Sequence, residues 1–261
     1  MSLQSLPFPP VYLVLGLFAL AGLAVVAYSA REFWVAWRLH RTEPTPVADV
    51  PNRTGTVEVE GRARIAEGTV TTPFTGTESL ACEWRVEEER HDDDGSDWVE
   101  IASGVQKVPF RVEDETGSVL VYPAGADFRL SQDARIDVDG GERPPDPIQR
   151  FIDAEDSVDD ENTDVEFAGV RLVTGDDRRY FERRLDPDEQ VYVYGTVRYD
   201  PSVSERAGEV NAVLEPGGLF VVADTDGRGV TRRVVRDALV PLFVGLFFVA
   251  VAVFFGVVVV P

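Results

Sequence analysis

The sequence predicts an α+β, mainly β protein: a strand-rich soluble domain, of a small-barrel or OB-like kind, held between two transmembrane helices. Three observations carry this reading. Uncharged apolar runs occupy 11–30 and 238–260. Between them, apolar residues recur at every second position, the period of a half-buried strand. Within that pattern two glycines interrupt regular strands, as the corners of a coiled barrel do.

The first run, VYLVLGLFALAGLAVVAYSA, has twenty residues. At ~1.5 Å each they span about 30 Å, the thickness of a bilayer's hydrocarbon core. A cleaved signal peptide is the alternative. The preceding MSLQSLPFPP lacks a positive n-region and the run exceeds a signal core, although the small residues of AYSA would suit cleavage. The second run, ALVPLFVGLFFVAVAVFFGVVVV, holds seventeen Leu, Val and Phe residues. Together they favour insertion by on the order of 5 kcal/mol, with no central charge to oppose it.

Arginine placement sets the expected orientation. Arg31, Arg38 and Arg41 follow the first run, and Arg228, Arg232, Arg233 and Arg236 precede the second. The positive-inside bias therefore places the middle region in the cytoplasm and both termini outside a cell membrane crossed twice. Trp34 and Trp37 stand among the first arginines, as interfacial aromatics do. With Arg31 and Arg38 they mark the expected membrane interface.

The formal charge is −21, from 46 acidic and 25 basic residues, and the only lysine is Lys107. The acids are dispersed, which suits solvation against high salt and points to a haloarchaeal source. Such a field repels phosphate backbones, so nucleic acid is disfavoured as a partner.

Residues 31–55 read as a juxtamembrane segment and a stiff proline-rich linker. The domain is expected over 56–223. Strands are predicted at 56–60, 62–71, 80–89, 98–103, 108–113 and 118–122, with the turn DETG making a hairpin of the last two. An acidic insert, 137–164, interrupts the pattern. Within it DPIQRFIDAE has proline at a helix start and Ile148, Phe151 and Ile152 on one face, which predicts a short helix. Strands resume at 165–174, 179–185, 190–199, 209–214 and 219–223. A basic helix over 224–237 then leads into the second run. VEVEGRAR at Val57 and VYVYGTVR at Val191 share V-x-V-x-G-x-x-R, an internal echo.

The inventory for chemistry is small. His40 lies near the first run and His91 in an acidic loop, and neither has the companions a nucleophile–base pair needs. One cysteine and two distant histidines cannot assemble a four-ligand zinc site. DDDG, DVDG and DTDG fail the calcium-loop pattern at its first and last positions. Cys82 shares a strand face with Leu80, Trp84 and Val86, which makes it a packing residue. No cofactor and no metal are expected. The run RRYFERRL gathers Arg178, Arg179, Arg183 and Arg184, which either grip an acidic partner or lipid headgroup or balance nearby carboxylates. Arg228, Arg232 and Arg236, at i, i+4 and i+8, would share a helix face toward lipid phosphate.

Four stretches in order, SLACEWRVEEER, DWVEIASG, VPFRVEDETGSVLVYPAGAD and RRYFERRLDPDEQVYVYGTV, resemble the GIDE ("beside a membrane") domain over about 57–223. The PFRVEDETGSVLV block is the most specific part. The family includes a mitochondrial membrane-anchored E3 ubiquitin ligase, and the resemblance implies ubiquitin transfer. In that ligase a RING finger after the second membrane helix recruits the conjugating enzyme; here the sequence ends at Pro261 and has no Cys/His cluster. The leading expectation is thus a membrane-anchored binding or scaffolding module with an unidentified protein partner and the lipid bilayer as its contacts. A ubiquitin-transferase-like activity is the alternative, and a lipid or membrane-stress sensor a third. Oligomeric state is open.

Overall fold

The computed structural model describes residues 10–40, 44–92, 95–154, 163–167, 176–225 and 227–258. The chain divides into a helical unit and a β-rich unit, Pro44–Asp226. The helical unit pairs α1 (Pro10–His40) with α3 (Gly227–Val258); the β-rich unit contains α2 (Asp146–Asp153).

Each long helix holds a stretch long and apolar enough to cross a membrane, Tyr12–Trp34 with mean hydropathy 2.2 and Val234–Val257 with 2.8. The two run antiparallel: the Phe18 ring lies 5.5 Å from that of Phe248, and further along Gly22 meets Gly245. A Cβ on Gly22 would stand 2.8 Å from the Gly245 carbonyl oxygen, and one on Gly245 2.9 Å from that of Gly22. Small residues at the contact let the backbones approach, which is how helices pack where lipid removes the hydrophobic drive. Leu17, Leu20, Val240, Phe243 and Phe247 are outward and exposed.

The strands, numbered along the chain, form a seven-stranded sheet that closes on itself, a five-stranded sheet and a two-stranded pair. β1 (Gly55–Ile65), β6 (Phe110–Asp114), β7 (Gly117–Val121), β13 (Glu209–Glu215) and β12 (Gln190–Tyr199) pair in that order, and β12 pairs back onto β1. The result is a closed five-stranded barrel with one parallel contact, β7 to β13. Its interior takes every second residue of each strand, including Val57, Val59, Ala63, Phe110, Val112, Val119, Val121, Val191, Val193 and Leu214. Each buried valine, leucine or phenylalanine there contributes roughly 1.5–3 kcal/mol by leaving water. β14 (Val221–Ala223) and then β8 (Asp127–Arg129) extend the sheet beyond β12.

The internal echo is the barrel's closing pair. Val57 opposes Gly195, Val59 opposes Val193 and Gly61 opposes Val191, so each copy of the motif is the antiparallel partner of the other. Both glycines mark strand corners. β1 leaves β12 for β6 just after Gly61, and β12 leaves β14 for β13 just after Gly195. A Cβ on Gly61 would come 2.3 Å from the Glu113 carbonyl oxygen, and one on Gly195 2.8 Å from the Phe220 ring.

Two long excursions leave the barrel, one between β1 and β6 and one between β7 and β12, and they build the second sheet together. The first supplies the hairpin of β4 (Ala81–Asp92) and β5 (Gly95–Lys107), preceded by the two-residue strands β2 (Val70–Thr71) and β3 (Glu78–Ser79). The second supplies β9 (Ala134–Val138), α2, β10 (Thr163–Phe167) and β11 (Arg178–Leu185). The order is β10-β5-β4-β11-β9, all antiparallel. α2 covers one face, burying Ile148 and packing Phe151 and Ile152 as their spacing predicts. Phe74, in the β2–β3 turn, stands edge-on to Trp84, Phe151 and Tyr180 at 5.1–5.7 Å.

Two expectations need correction. Residues 47–52 are not linker: they form a 3-10 turn whose Val47 and Val50 are fully buried in the barrel core. The turn is held by the Val47 N–H donating to Asp114 and the Ala48 N–H to Thr116. α1 also runs unbroken into the expected juxtamembrane segment, as far as His40, while α3 takes in 227–237 as the basic helix expected ahead of the second run. The strand expected at 165–174 is described only as far as Phe167, and the insert's 155–162 also lie outside the described residues.

Gly61→Ala is expected to destabilise the β-rich unit by about 1–3 kcal/mol, because the clash is with backbone. Gly68→Ala, with nothing within 4 Å, should be nearly neutral. Thermal unfolding of the full chain in detergent compares them.

Candidate functional site

Strand alternation decides what the arginine run can do. On β11, Arg178 and Arg184 point to the same side as the buried Tyr180 and Glu182, while Arg179 and Arg183 point to the other with Phe181. The four do not form one patch. Arg178 is buried and bonded to the equally buried Glu88 at 3.0 Å. Arg184 lies 3.3 Å from Asp186 and 3.6 Å from Glu182. Glu182 itself accepts the Phe74 and Thr75 N–H groups at 2.6 and 3.0 Å and the Thr75 hydroxyl at 2.7 Å. This side of the strand ties the β2–β3 turn to the sheet.

The other face is open and carries a ladder that the sequence did not reveal. Phe181 opposes Arg135 on β9 and Arg85 on β4. Their guanidinium carbons sit 5.8 and 4.9 Å from its ring centroid, in cation–π range. Arg179 stacks on Trp98 at 3.4 Å. Asp137 takes a bidentate contact from Arg135 and a further one, 3.2 Å, from Arg179, and Arg85 meets Glu87 at 3.1 Å. Arg183 is exposed opposite Glu83. Burial pushes the Glu83 carboxyl up to about 7, against the pull of Arg183.

A second concavity, of ≈ 640 Å³, lies at one end of the barrel beside the β6–β7 turn. Its polar groups hold one another. Arg64 bridges Glu113 and Asp188. Arg111 donates to the Val203 carbonyl at 2.6 Å and meets Glu209 at 3.3 Å. Glu209 also accepts the N–H groups of Glu205 and Arg206, which, against its burial, keeps its carboxyl below the usual range. Asp114 is likewise depressed: burial opposes, but the Thr116 hydroxyl and the Val47, Thr116 and Gly117 N–H groups prevail. These contacts fix loop geometry. Arg64 and Arg111 reach Asp188 and Val203 across the sequence and leave no local signal, whereas the Asp114 contacts belong to the DETG turn that the sequence shows.

Cys82 is fully buried where the barrel core gives way to the second core, and burial with nearby Glu182 drives its thiol well above the ordinary range. His91 is an exposed β4 residue opposite Ser96; the side chains of His40, Arg38 and Arg228 lie outside those described. Trp34 and Trp37 are 48% and 53% exposed on α1. Arg31 lies 3.5 Å from Glu32. Arg232 and Arg236 are exposed on the first turns of α3, Arg236 at 3.3 Å from Asp237. Among the described residues no group of three or more His, Cys, Asp or Glu is placed to hold a metal ion.

The family model GIDE, described as an E3 ubiquitin ligase, matches residues 83–256, from β4 into α3. The chain belongs to the GIDE family. A comparison with curated proteins and one with solved structures return no match. The GIDE match contains the whole open face except the start of its β4 strand, together with α2 and the greater part of α3.

A carboxyl whose folded pKa is raised adds stability below its unfolded value, here 4.5, and loses it as pH climbs through about 7. The unmodified chain should therefore gain up to about 3 kcal/mol over Glu83→Gln as pH falls from roughly 7 to 5. Parallel pH–stability curves for the two proteins would contradict the assignment.

Proposed function

We propose that this GIDE chain is a membrane-anchored binding module: two helices hold it in the bilayer, and its β-rich unit faces the cytoplasm and engages a protein partner through the open face of the second sheet. The observation that carries this reading is the Arg85–Phe181–Arg135 and Arg179–Trp98 stacking. Arginines held on aromatic rings are pre-ordered, so little side-chain entropy is lost when a partner covers them, and Arg and aromatic residues are the types that dominate interface energetics. The charge pattern supports the cytoplasmic side: the arginines flank both spans at their domain-proximal ends. The dispersed acidic charge supports work at high salt.

The family description favours a second reading, in which the chain promotes transfer of a ubiquitin-like protein. A thioester relay through Cys82 does not suit its burial and raised pKa, so a ligase built on this fold would act by positioning a conjugating enzyme and its target. Reconstitution with activating and conjugating components tests that: transfer no faster than without the chain ends it.

For the leading reading, a photo-crosslinker at Arg183 should yield a reproducible adduct in membranes, and one at the exposed Glu115 should not; equal patterns would count against the face. In a Cys82→Ala background, Ser96→Cys should react with a membrane-impermeant thiol reagent only after cells are opened. Labelling of intact cells would reverse the orientation.

A further inference from the structure

We propose that one end of the helical hairpin is a binding surface for anionic phospholipid headgroups. Because α1 and α3 are antiparallel, the last turns of α1 and the first turns of α3 lie at the same end. Segments 31–40 and 227–237 hold six arginines against two carboxylates, Glu32 and Asp237, in a chain whose total charge is −21. The local excess is therefore opposite in sign to the rest of the protein. Arg232 and Arg236 follow one another at i, i+4 on the same helix face, both exposed. The Arg31 and Arg236 side chains are 65% and 78% exposed. Arg236 meets its sequence neighbour Asp237 at 3.3 Å with both side chains exposed, a pair of the kind that holds weakly, whereas Arg31 makes a longer contact, 3.5 Å, to the buried Glu32. A phosphodiester can replace the Arg236 pair with a planar, bidentate contact.

The apolar layer below this end is already defined. Tyr12 and Trp34 are 42% and 48% exposed on α1, and at 1.5 Å per residue they stand about 33 Å apart, close to a hydrocarbon thickness with its interfaces. Trp34 and Trp37 thus mark headgroup depth at the level of the arginines. Anionic headgroups fit this surface better than zwitterionic ones, whose choline would meet the arginines with like charge. The inference concerns lipid class alone and stands whichever side of the membrane the β-rich unit occupies.

The test reads tryptophan quenching in vesicles containing the full chain. Brominated phosphatidylglycerol or brominated phosphatidylcholine is the probe, and a Trp34→Phe/Trp37→Phe variant supplies the background from Trp84 and Trp98. At ~0.1 M salt the glycerol lipid should associate with the collar roughly five-fold or more strongly, one neutralised arginine being enough for that factor. The preference should fall toward one in Arg31→Gln/Arg232→Gln/Arg236→Gln at the same salt, and in the unmodified chain at ~1 M. Equal quenching by the two lipids in the unmodified chain would overturn the proposal, as would a preference undiminished in the triple variant. Excess inorganic phosphate should leave the lipid preference in place; displacement of the brominated lipid by it would make this a small-anion site and also overturn the proposal.

Discussion

The antiparallel pairing of β1 with β12 is the contact on which the β-rich unit depends. It joins the first and fourth barrel strands, far apart in sequence, over eight consecutive register positions. Without it the five strands are an open sheet with two unsatisfied edges. Closure also needs strands that bend, and bending needs positions without a Cβ. Gly61 and Gly195 supply those positions within the same pair, each opposite a valine of the other strand. The motif that repeats in the sequence is thus repeated because both strands meet the same steric demand at the same joint.

Closing the barrel determines where its two excursions leave it. Leu80, Ala81 and Leu185 belong to the barrel core, and the Leu80 N–H donates to the Leu185 carbonyl at 2.8 Å. One residue later, Cys82 belongs to the second core. The β4–β5 hairpin and β11 are therefore side by side as they depart, and a second sheet built from both excursions follows. Its covered face takes α2 and the Phe74 ring; its other face is left to the arginine ladder. The same alternation that buries Arg178 against Glu88 exposes Arg179 and Arg183. What looks like one basic cluster in sequence serves structure on one side and presents a surface on the other.

Much of this was legible in the sequence, and the failures have physical reasons. The two long apolar helices, most of the period-two strands, the DETG hairpin and the Ile148/Phe151/Ile152 helix follow from spacing and hydrophobicity, and the structure has them. Small-barrel architecture was readable from the two glycines. The plug at 47–52 was hidden because prolines signal both linkers and tight turns, and only the burial of Val47 and Val50 distinguishes them. β9, with the sequence ARIDV, alternates but is short and was absorbed into an acidic surrounding. Arg85, Arg135 and Phe181 meet only through pairing across three strands, which no local window contains. Family membership covers 83–256 and so begins after β1, the strand that closes the barrel.

The central claim is that β1 and β12 close the barrel in one particular register. Thr56 and Thr196 are direct partners in it, and directly opposed antiparallel residues have Cα atoms about 4.5–5.5 Å apart, within reach of a disulfide. In a Cys82→Ala background, Thr56→Cys/Thr196→Cys should oxidise to an intramolecular disulfide with unchanged circular dichroism. Free thiols in that variant, with a ready disulfide in Thr56→Cys/Val197→Cys instead, would contradict the register and with it the closed barrel described here.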